Sequence, residues 1–321
     1  MPRSRWLVPA VAGCLVATWA PAGPPPPNAQ TERLYRLDLA VRKAGEEGVT
    51  PKTWTVAIEV FLDKKARRLF YVGPGGNPLA VAAAGEGAAD RGKAPRRLRR
   101  LVLPVRKAAE KDFSADTGKL SVEVYHDANT GHLVYVSEQG AFAVVPAPKD
   151  VGKAAGAPQW LYRLPVGVRP AREFEARPVP CNVEVYADPR AGSLVYAAES
   201  GAVAVLAHAK GGKGAKPEWS YALDLKARAP GVARFDAKTP TFGVEIFVDT
   251  SAGAWVYLTE ARQLAVMPGA KAGPRREAKA PEWRQAVAAG NVWAAEAYAD
   301  INSGHLVFIN ARGAIAAAPL K

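Results

Sequence analysis

Apolar and polar residues alternate with a period of two through much of the chain, and this alternation predicts β-strands. The segment from Ser121 to Pro146 shows it most clearly. Val122 and Val124 would face one side of a strand there, with Glu123 and Tyr125 on the other side. The segment therefore predicts a sheet with at least one buried face.

The same pattern occurs five times in the chain, so the chain is a repeat protein. Each copy carries a Glu in its second predicted strand, and the five are Glu59, Glu123, Glu184, Glu245 and Glu296. An Asp follows each Glu by four residues, and these are Asp63, Asp127, Asp188, Asp249 and Asp300. The repeat predicts one structural unit per copy, with bounds at residues 34–83, 98–146, 160–207, 219–268 and 283–319.

Each unit is predicted to be an antiparallel meander of four strands. The turn after the second strand has a glycine at Gly131, Gly192, Gly253 and Gly304, where the backbone needs a positive φ, whereas the first unit has Arg67. Pro104 and Pro165 remove backbone donors from the first strand, which favours a position at the sheet edge. An apolar residue in the next connector is expected to pin that loop to the core; it is Val49, Phe113, Phe174 or Phe235.

A single unit of this size buries too little surface to be stable alone, so neighbouring units are expected to pack on one another. Five four-stranded antiparallel sheets with two apolar faces predict an all-β protein, and specifically a five-bladed β-propeller. The linkers of about a dozen residues between units leave an open stack or two subdomains as alternatives.

The repeated acids are predicted to be structural, because an active site is one asymmetric place whereas these groups are spread over every unit. Four units carry an Arg after the first strand: Arg42, Arg106, Arg169 and Arg228. These arginines are expected to neutralise the half-buried carboxylates Glu59, Glu123, Glu184 and Glu245, within or between units. The fifth unit has no matching Arg, so Glu296 is expected to need a different donor.

The repeated Asp opens a hairpin, where its side chain can accept backbone N–H bonds. A calcium loop at Asp127 is a weaker alternative because the other copies have too few acids. His132 and His305 follow the turn and are expected to face solvent. Cys181 takes a position filled by apolar residues in the other units, which indicates a buried hydrophobe. The sequence indicates no catalytic residue, cofactor or metal site.

The first 22 residues fit a secretory signal peptide, with basic residues, an apolar core and a small-residue cleavage pattern. The alternative is a lipoprotein signal ending before Cys14, which would then carry a lipid anchor. Residues 23–33 form a proline-rich linker. We therefore expect an exported protein, in the periplasm, at the cell surface or outside the cell, with no transmembrane span.

The 321-residue chain carries a formal net charge of +13, which raises the question of polyanion binding. Much of the excess lies in linkers among Gly, Ala and Pro, a pattern typical of solvated connectors, so nucleic acid is not the expected partner. Trp160, Trp219 and Trp283 open the first strand in three units and are expected to be core residues, or to stack on sugars if exposed.

These features favour a non-enzymatic binding or scaffold protein that recognises a protein or glycan of the cell envelope. One alternative is an exported hydrolase or lyase with a site in the propeller channel. Polyanion binding through the basic linkers is another.

Overall fold

The fold is described from a computed structural model, which covers residues 31–85, 92–149, 157–171, 173, 176–207, 216–269, 278–289 and 292–320. The predicted signal peptide, Cys14 and most of the proline-rich linker lie outside these residues, as do Phe174 and much of the basic linkers. The described part of the chain contains no helix with the length and apolarity needed to cross a bilayer.

The described residues form five four-stranded antiparallel sheets, each made from one continuous stretch of chain. Blade 1 consists of β1 (Thr31–Val41), β2 (Trp54–Asp63), β3 (Arg68–Val72) and β4 (Leu79–Ala83). Blade 2 consists of β5 (Arg96–Val105), β6 (Gly118–Asp127), β7 (His132–Ser137) and β8 (Phe142–Pro146). Blade 3 consists of β9 (Gln159–Val168), β10 (Val179–Asp188), β11 (Ser193–Ala198) and β12 (Val203–Ala207).

The last two blades have the same strand order. Blade 4 consists of β13 (Glu218–Lys226), β14 (Thr241–Asp249), β15 (Ala254–Thr259) and β16 (Leu264–Pro268). Blade 5 consists of β17 (Glu282–Ala289), β18 (Trp293–Asp300), β19 (His305–Asn310) and β20 (Ile315–Pro319). A 3-10 turn (Pro74–Gly76) lies between β3 and β4.

The five blades close into a ring, which confirms the predicted five-bladed propeller. The fourth strand of each blade lies beside the fourth strands of its two neighbours, and the series closes where β20 meets β4. The first strand of each blade is consequently the outer edge, as Pro104 and Pro165 predicted. The open stack and the two-subdomain arrangement were wrong, because both leave blade 5 away from blade 1.

The hydrophobic core consists of five clusters, one between each pair of neighbouring blades. Cys181 belongs to one of them and is fully buried, and burial raises the pKa of its thiol to about 11. Each blade therefore depends on its neighbours for apolar burial, as expected for units this small.

The two ends of the ring are built from different loops. One end, the turn end, carries the connectors between first and second strands and the turns between third and fourth strands. The opposite end, the hairpin end, carries the tight hairpins between second and third strands. At these hairpins Gly131, Gly192, Gly253 and Gly304 have the predicted positive φ, and Arg67 adopts a positive φ of 50° without being glycine.

Candidate functional site

Four of the repeated glutamates form buried ion pairs across blade interfaces. The Arg after the first strand of one blade bonds the Glu of the next blade, so that each pair links two blades. The N···O distances are 2.6 Å for Arg42–Glu123, 2.7 Å for Arg106–Glu184, 2.9 Å for Arg169–Glu245 and 2.7 Å for Arg228–Glu296. The hydrogen bond to Glu184 raises the pKa of Arg106, which therefore stays charged.

In each of these pairs the arginine belongs to one blade and the glutamate to the next, so none of these arginines bonds the glutamate of its own unit. The expectation that Glu296 lacks an arginine was wrong, since Arg228 of blade 4 bonds it through two nitrogens. Arg42 does not pair with Glu59, because its guanidinium bonds Glu123 instead. Glu59 bonds Arg33 of its own blade, in an exposed pair.

Aromatic residues cover several of these pairs. The Arg106 guanidinium lies over the Phe113 ring at 4.2 Å, and Arg228 lies over Phe235 at 4.5 Å. Three of the paired glutamates also accept an indole N–H from a tryptophan of their own blade: Glu184 from Trp160, Glu245 from Trp219 and Glu296 from Trp283.

Val49 and Phe113 do not pin their connectors to the apolar core, contrary to the expectation. Phe113 is 40% exposed and Val49 is 44% exposed, and Phe113 packs on the Arg106 side of an ion pair. The connector is therefore held by an ion pair and its aromatic cover rather than by deep burial.

The repeated aspartates join hairpins to neighbouring blades. One carboxylate oxygen accepts backbone N–H bonds within its own hairpin, as in Asn129 N to Asp127 Oδ1 at 3.0 Å. The other oxygen accepts hydroxyl bonds from the preceding blade. The tyrosine donors are Tyr35 and Tyr71 for Asp127, Tyr135 for Asp188, Tyr162 and Tyr196 for Asp249, and Tyr221 and Tyr257 for Asp300.

Two histidines belong to this network, and the expectation that they face solvent was wrong. His132 and His305 are buried, and their Nδ1 atoms lie 3.3 Å and 3.0 Å from the hydroxyls of Tyr71 and Tyr257. Burial lowers the pKa of His132 to about 4. The position after the hairpin faces the preceding blade, which the sequence pattern alone did not reveal.

Asp63 differs from the other four aspartates. The two positions that supply tyrosines in blades 1, 3 and 4 are occupied by Gln285 and Phe308 in blade 5. Asp63 keeps its hairpin bonds, to the backbone N–H groups of Lys65 and Ala66 at 3.0 Å each.

The acids are thus distributed around the ring, and the described residues contain no group of three or more His, Cys, Asp or Glu arranged to hold a metal ion.

The centre of the ring is apolar and narrow. A cavity of about 60 Å³ lies between the five fourth strands, lined by residues such as Val81, Phe142 and Leu264. Among the described residues none of its lining side chains is ionisable or polar. This channel offers no general acid, base or metal ligand of its own.

The turn end, in contrast, has a cavity of about 220 Å³ that we call the axial cup. Its lining comes from the start of β2 in blade 1 and from the turns between third and fourth strands of blades 1 to 4. The lining consists of Trp54, Val56, Pro74, Asn77, Pro78, Gln139, Gly140, Ala141, Ser200, Ala202 and Gln263. No charged residue is among them.

Trp54 is the largest exposed side chain of the axial cup, with 49% of its surface accessible. The indole reaches from blade 1 to blade 2 and lies so close to Gly140 that a Cβ there would be 2.9 Å from its Cη2 atom. Gly140 has a φ of 78°, so both its conformation and this contact favour glycine. The ring is therefore held in place while part of it stays open to the cup.

The polar groups of the cup are amides and a hydroxyl. The described residues provide no hydrogen-bond partner for the side-chain amides of Gln139 and Gln263, and the Asn77 Oδ1 atom is buried without one. Ser200 Oγ donates to the Arg262 carbonyl oxygen at 3.2 Å and accepts a long bond from the Ala202 backbone N–H at 3.5 Å, which leaves it one lone pair. These groups offer both donors and acceptors to a ligand.

Comparison with known proteins assigns no family to the chain. No protein-family model and no curated protein matches the chain. Among solved structures, a streptogramin B lyase is similar over 90% of this chain and 74% of its own, with 11% identity and a TM-score of 0.14. A catalytically inactive virginiamycin B lyase from Staphylococcus aureus, solved with quinupristin, is similar over 89% of both chains, with 9% identity and a TM-score of 0.14.

The sequence pattern does not mark Trp54, Gln139 or Gln263, because these residues do not repeat in the other units. Trp54 occupies a place taken by Gly118 in blade 2 and Val179 in blade 3. Aligning the five copies and asking where one differs from the rest would have found this tryptophan. The amides are harder to find, because polar residues are common in turns.

Proposed function

We propose that this protein is an exported, non-enzymatic β-propeller that binds an uncharged glycan at the axial cup. The observation that carries the proposal is the half-exposed indole of Trp54 beside a recess of uncharged hydrogen-bonding groups. Sugar rings present an apolar C–H face and a rim of hydroxyls, and an aromatic face with amides complements both.

The size and charge of the axial cup support a small neutral ligand group. At about 220 Å³ it is smaller than the roughly 300–1,000 Å³ of pockets that enclose a whole drug-sized ligand. One ring of a longer glycan would occupy it, and the rest of the chain would extend over the turn end. Its lining contains no cation or anion that would select a charged ligand.

A hydrolase or lyase site in the channel would need polar residues that converge there, whereas the described lining of that channel is apolar, which favours the binding function. Polyanion binding through the basic linkers depends largely on residues outside the described ranges and stays a prediction. Export likewise rests on the N-terminal sequence pattern.

A glycan array with the full mature chain, followed by calorimetry on the best ligand, tests the proposal. Trp54→Ala is expected to weaken binding by about tenfold or more, because loss of an aromatic anchor is typically among the costliest changes at a binding site. Gln139→Ala and Gln263→Ala should each cost about threefold to tenfold, as expected for a lost hydrogen bond.

Trp160→Phe is the matched control, since Trp160 is 46% exposed but lies on β9 at the outer edge, away from the axial cup. This variant should bind like the parent protein. The proposal is wrong if no neutral glycan is retained, or if Trp54→Ala binds as well as the control.

A further inference from the structure

A second cavity lies at the hairpin end, where blade 5 meets blade 1. We call it the closure cleft. It has a volume of about 480 Å³, and its lining consists of Lys65, Ala66, Arg68, Arg284, Gln285, Ala297, Leu306 and Leu320. Three of these side chains are cationic and none is acidic.

The closure cleft lies where the repeating blade contact is broken. At three of the other interfaces two tyrosines converge on the Asp of the next blade, and at the interface of blades 2 and 3 Arg99 and Tyr135 do so. At the closure, Gln285 and Phe308 take these two places. The repeated contact with the Asp is therefore missing, and space remains between the blades.

Arg68 projects into this space from a position that no other blade fills with arginine. The matching residues are His132, Ser193, Ala254 and His305. Arg68 is only 7% exposed, and its Nη2 donates to the Pro319 carbonyl oxygen at 2.8 Å.

The guanidinium of Arg68 has donors left over. A guanidinium carries five N–H groups, and the described residues account for one hydrogen bond, to the Pro319 carbonyl. It also lies 5.8 Å from the Phe308 ring centroid. Burial lowers the pKa of Arg68 and the nearby charge of Asp63 raises it, so the cation lacks full compensation from its surroundings.

The other charges near the cleft leave it net positive. Arg284 pairs with Glu282 at 2.7 Å, with both side chains about half exposed. Lys65 is exposed and forms no ion pair with any described residue. Asp63 faces Arg68 across the β2–β3 register, but the described contacts include no ion pair between them.

We propose that the closure cleft binds an anionic oxygen group, either carboxylate or phosphate, with Arg68 as the principal donor. Lys65 and Arg284, at the more exposed part of the lining, add positive charge. A planar guanidinium suits two oxygens of such a group, and a partly desolvated one binds more strongly than one in bulk water. This site lies at the opposite end from the axial cup, so each proposal can fail without the other.

The test uses the full mature chain with inorganic phosphate and, separately, glucuronate as probes, at ionic strength held constant with chloride. We expect saturable binding of at least one probe by calorimetry, and the comparison of the two probes decides between phosphate and carboxylate. Lys65→Gln and Arg284→Gln change exposed residues and should each weaken binding about threefold to tenfold. Arg33→Gln, an exposed arginine of blade 1 outside the cleft, should leave it unchanged.

A second variant removes the site without opening a cavity. Gln285→Tyr with Phe308→Tyr restores the repeated pair, and we expect it to abolish probe binding while the melting temperature stays the same or rises. The proposal is overturned if neither probe binds saturably, if binding survives this double substitution in a folded protein, or if Arg33→Gln weakens binding as much as Lys65→Gln.

Discussion

The interface between blades 4 and 5 and the interface between blades 5 and 1 join the same kinds of sheet in different ways. Between blades 4 and 5, Arg228 bonds buried Glu296 and two tyrosines bond Asp300. Between blades 5 and 1, no arginine follows β17 to reach Glu59, and Asp63 has Gln285 and Phe308 opposite it.

The closure relies on aromatic packing instead. Phe61 stacks on Trp293 with ring centroids 5.9 Å apart, and Phe70 meets Phe308 edge-on at 5.3 Å. No strand is exchanged between the chain ends, since each blade is one continuous stretch. The Arg–Glu and Tyr–Asp contacts therefore join successive blades around the ring. A cavity such as the closure cleft is expected at an interface that lacks them.

Arg228→Ala is expected to have the largest effect on stability. Removing one partner of a buried ion pair leaves the other charge uncompensated, which costs about 3–5 kcal/mol. Arg33→Ala, which breaks the exposed pair with Glu59, should cost about 0–1 kcal/mol. Urea unfolding of both variants measures the difference, and equal losses would contradict the distinction between a buried pair that joins two blades and an exposed pair within blade 1.

The buried histidine between blades 1 and 2 should make stability depend on pH. The folded-state pKa of His132 is about 4, below the ordinary value of 6.5, so the unfolded chain binds the extra proton. Stability is therefore lost as the pH falls from about 6.5 to about 4, by roughly 3 kcal/mol in total.

His132→Ser isolates this contribution, because blade 3 has Ser193 at the same position. As the pH falls through that range, the unfolding free energy of the parent should fall relative to that of the variant, so that their difference shrinks or changes sign. A difference that stays constant with pH would show that His132 does not titrate as described.

The aspartates offer a matched pair of smaller changes. Asp300→Ala removes the acceptor of two buried tyrosine hydroxyls and should cost about 1–3 kcal/mol beyond the loss of its hairpin bond. Asp63→Ala removes hairpin bonds and the nearby charge that favours the Arg68 cation, but no buried hydroxyl contact, and should cost less, about 1 kcal/mol. Thermal unfolding of both variants checks this order, and a larger loss for Asp63→Ala would reverse it.

Arg67→Gly should give the smallest effect and the opposite sign. Arg67 has a φ of 50° where four other blades have glycine, and a left-handed conformation costs a non-glycine residue about 1–2 kcal/mol. Glycine relieves this strain, but its greater freedom in the unfolded chain offsets part of the relief. We therefore expect a net stabilisation of about 0.5–1 kcal/mol. Gly131→Arg in blade 2 is the reciprocal change and should destabilise.

The repeat made the architecture predictable, because period-two alternation and the recurring Glu and Asp fix the strands and their register. The direction of the Arg–Glu pairing could not be read from the sequence, since residues in one blade face the next blade only after the ring closes. The same reason explains the burial of His132 and His305 against Tyr71 and Tyr257. Trp54 of the axial cup and Arg68 of the closure cleft do not repeat in the other blades, so the repeat pattern does not mark either site.

A double-mutant cycle at Arg228 and Glu296, run beside one at Arg33 and Glu59, tests most directly whether the repeated acids join the blades. With Arg→Met and Glu→Gln as the single changes, we predict a coupling energy of at least about 2 kcal/mol for the first pair and below about 1 kcal/mol for the second. A coupling near zero between Arg228 and Glu296 would contradict the account.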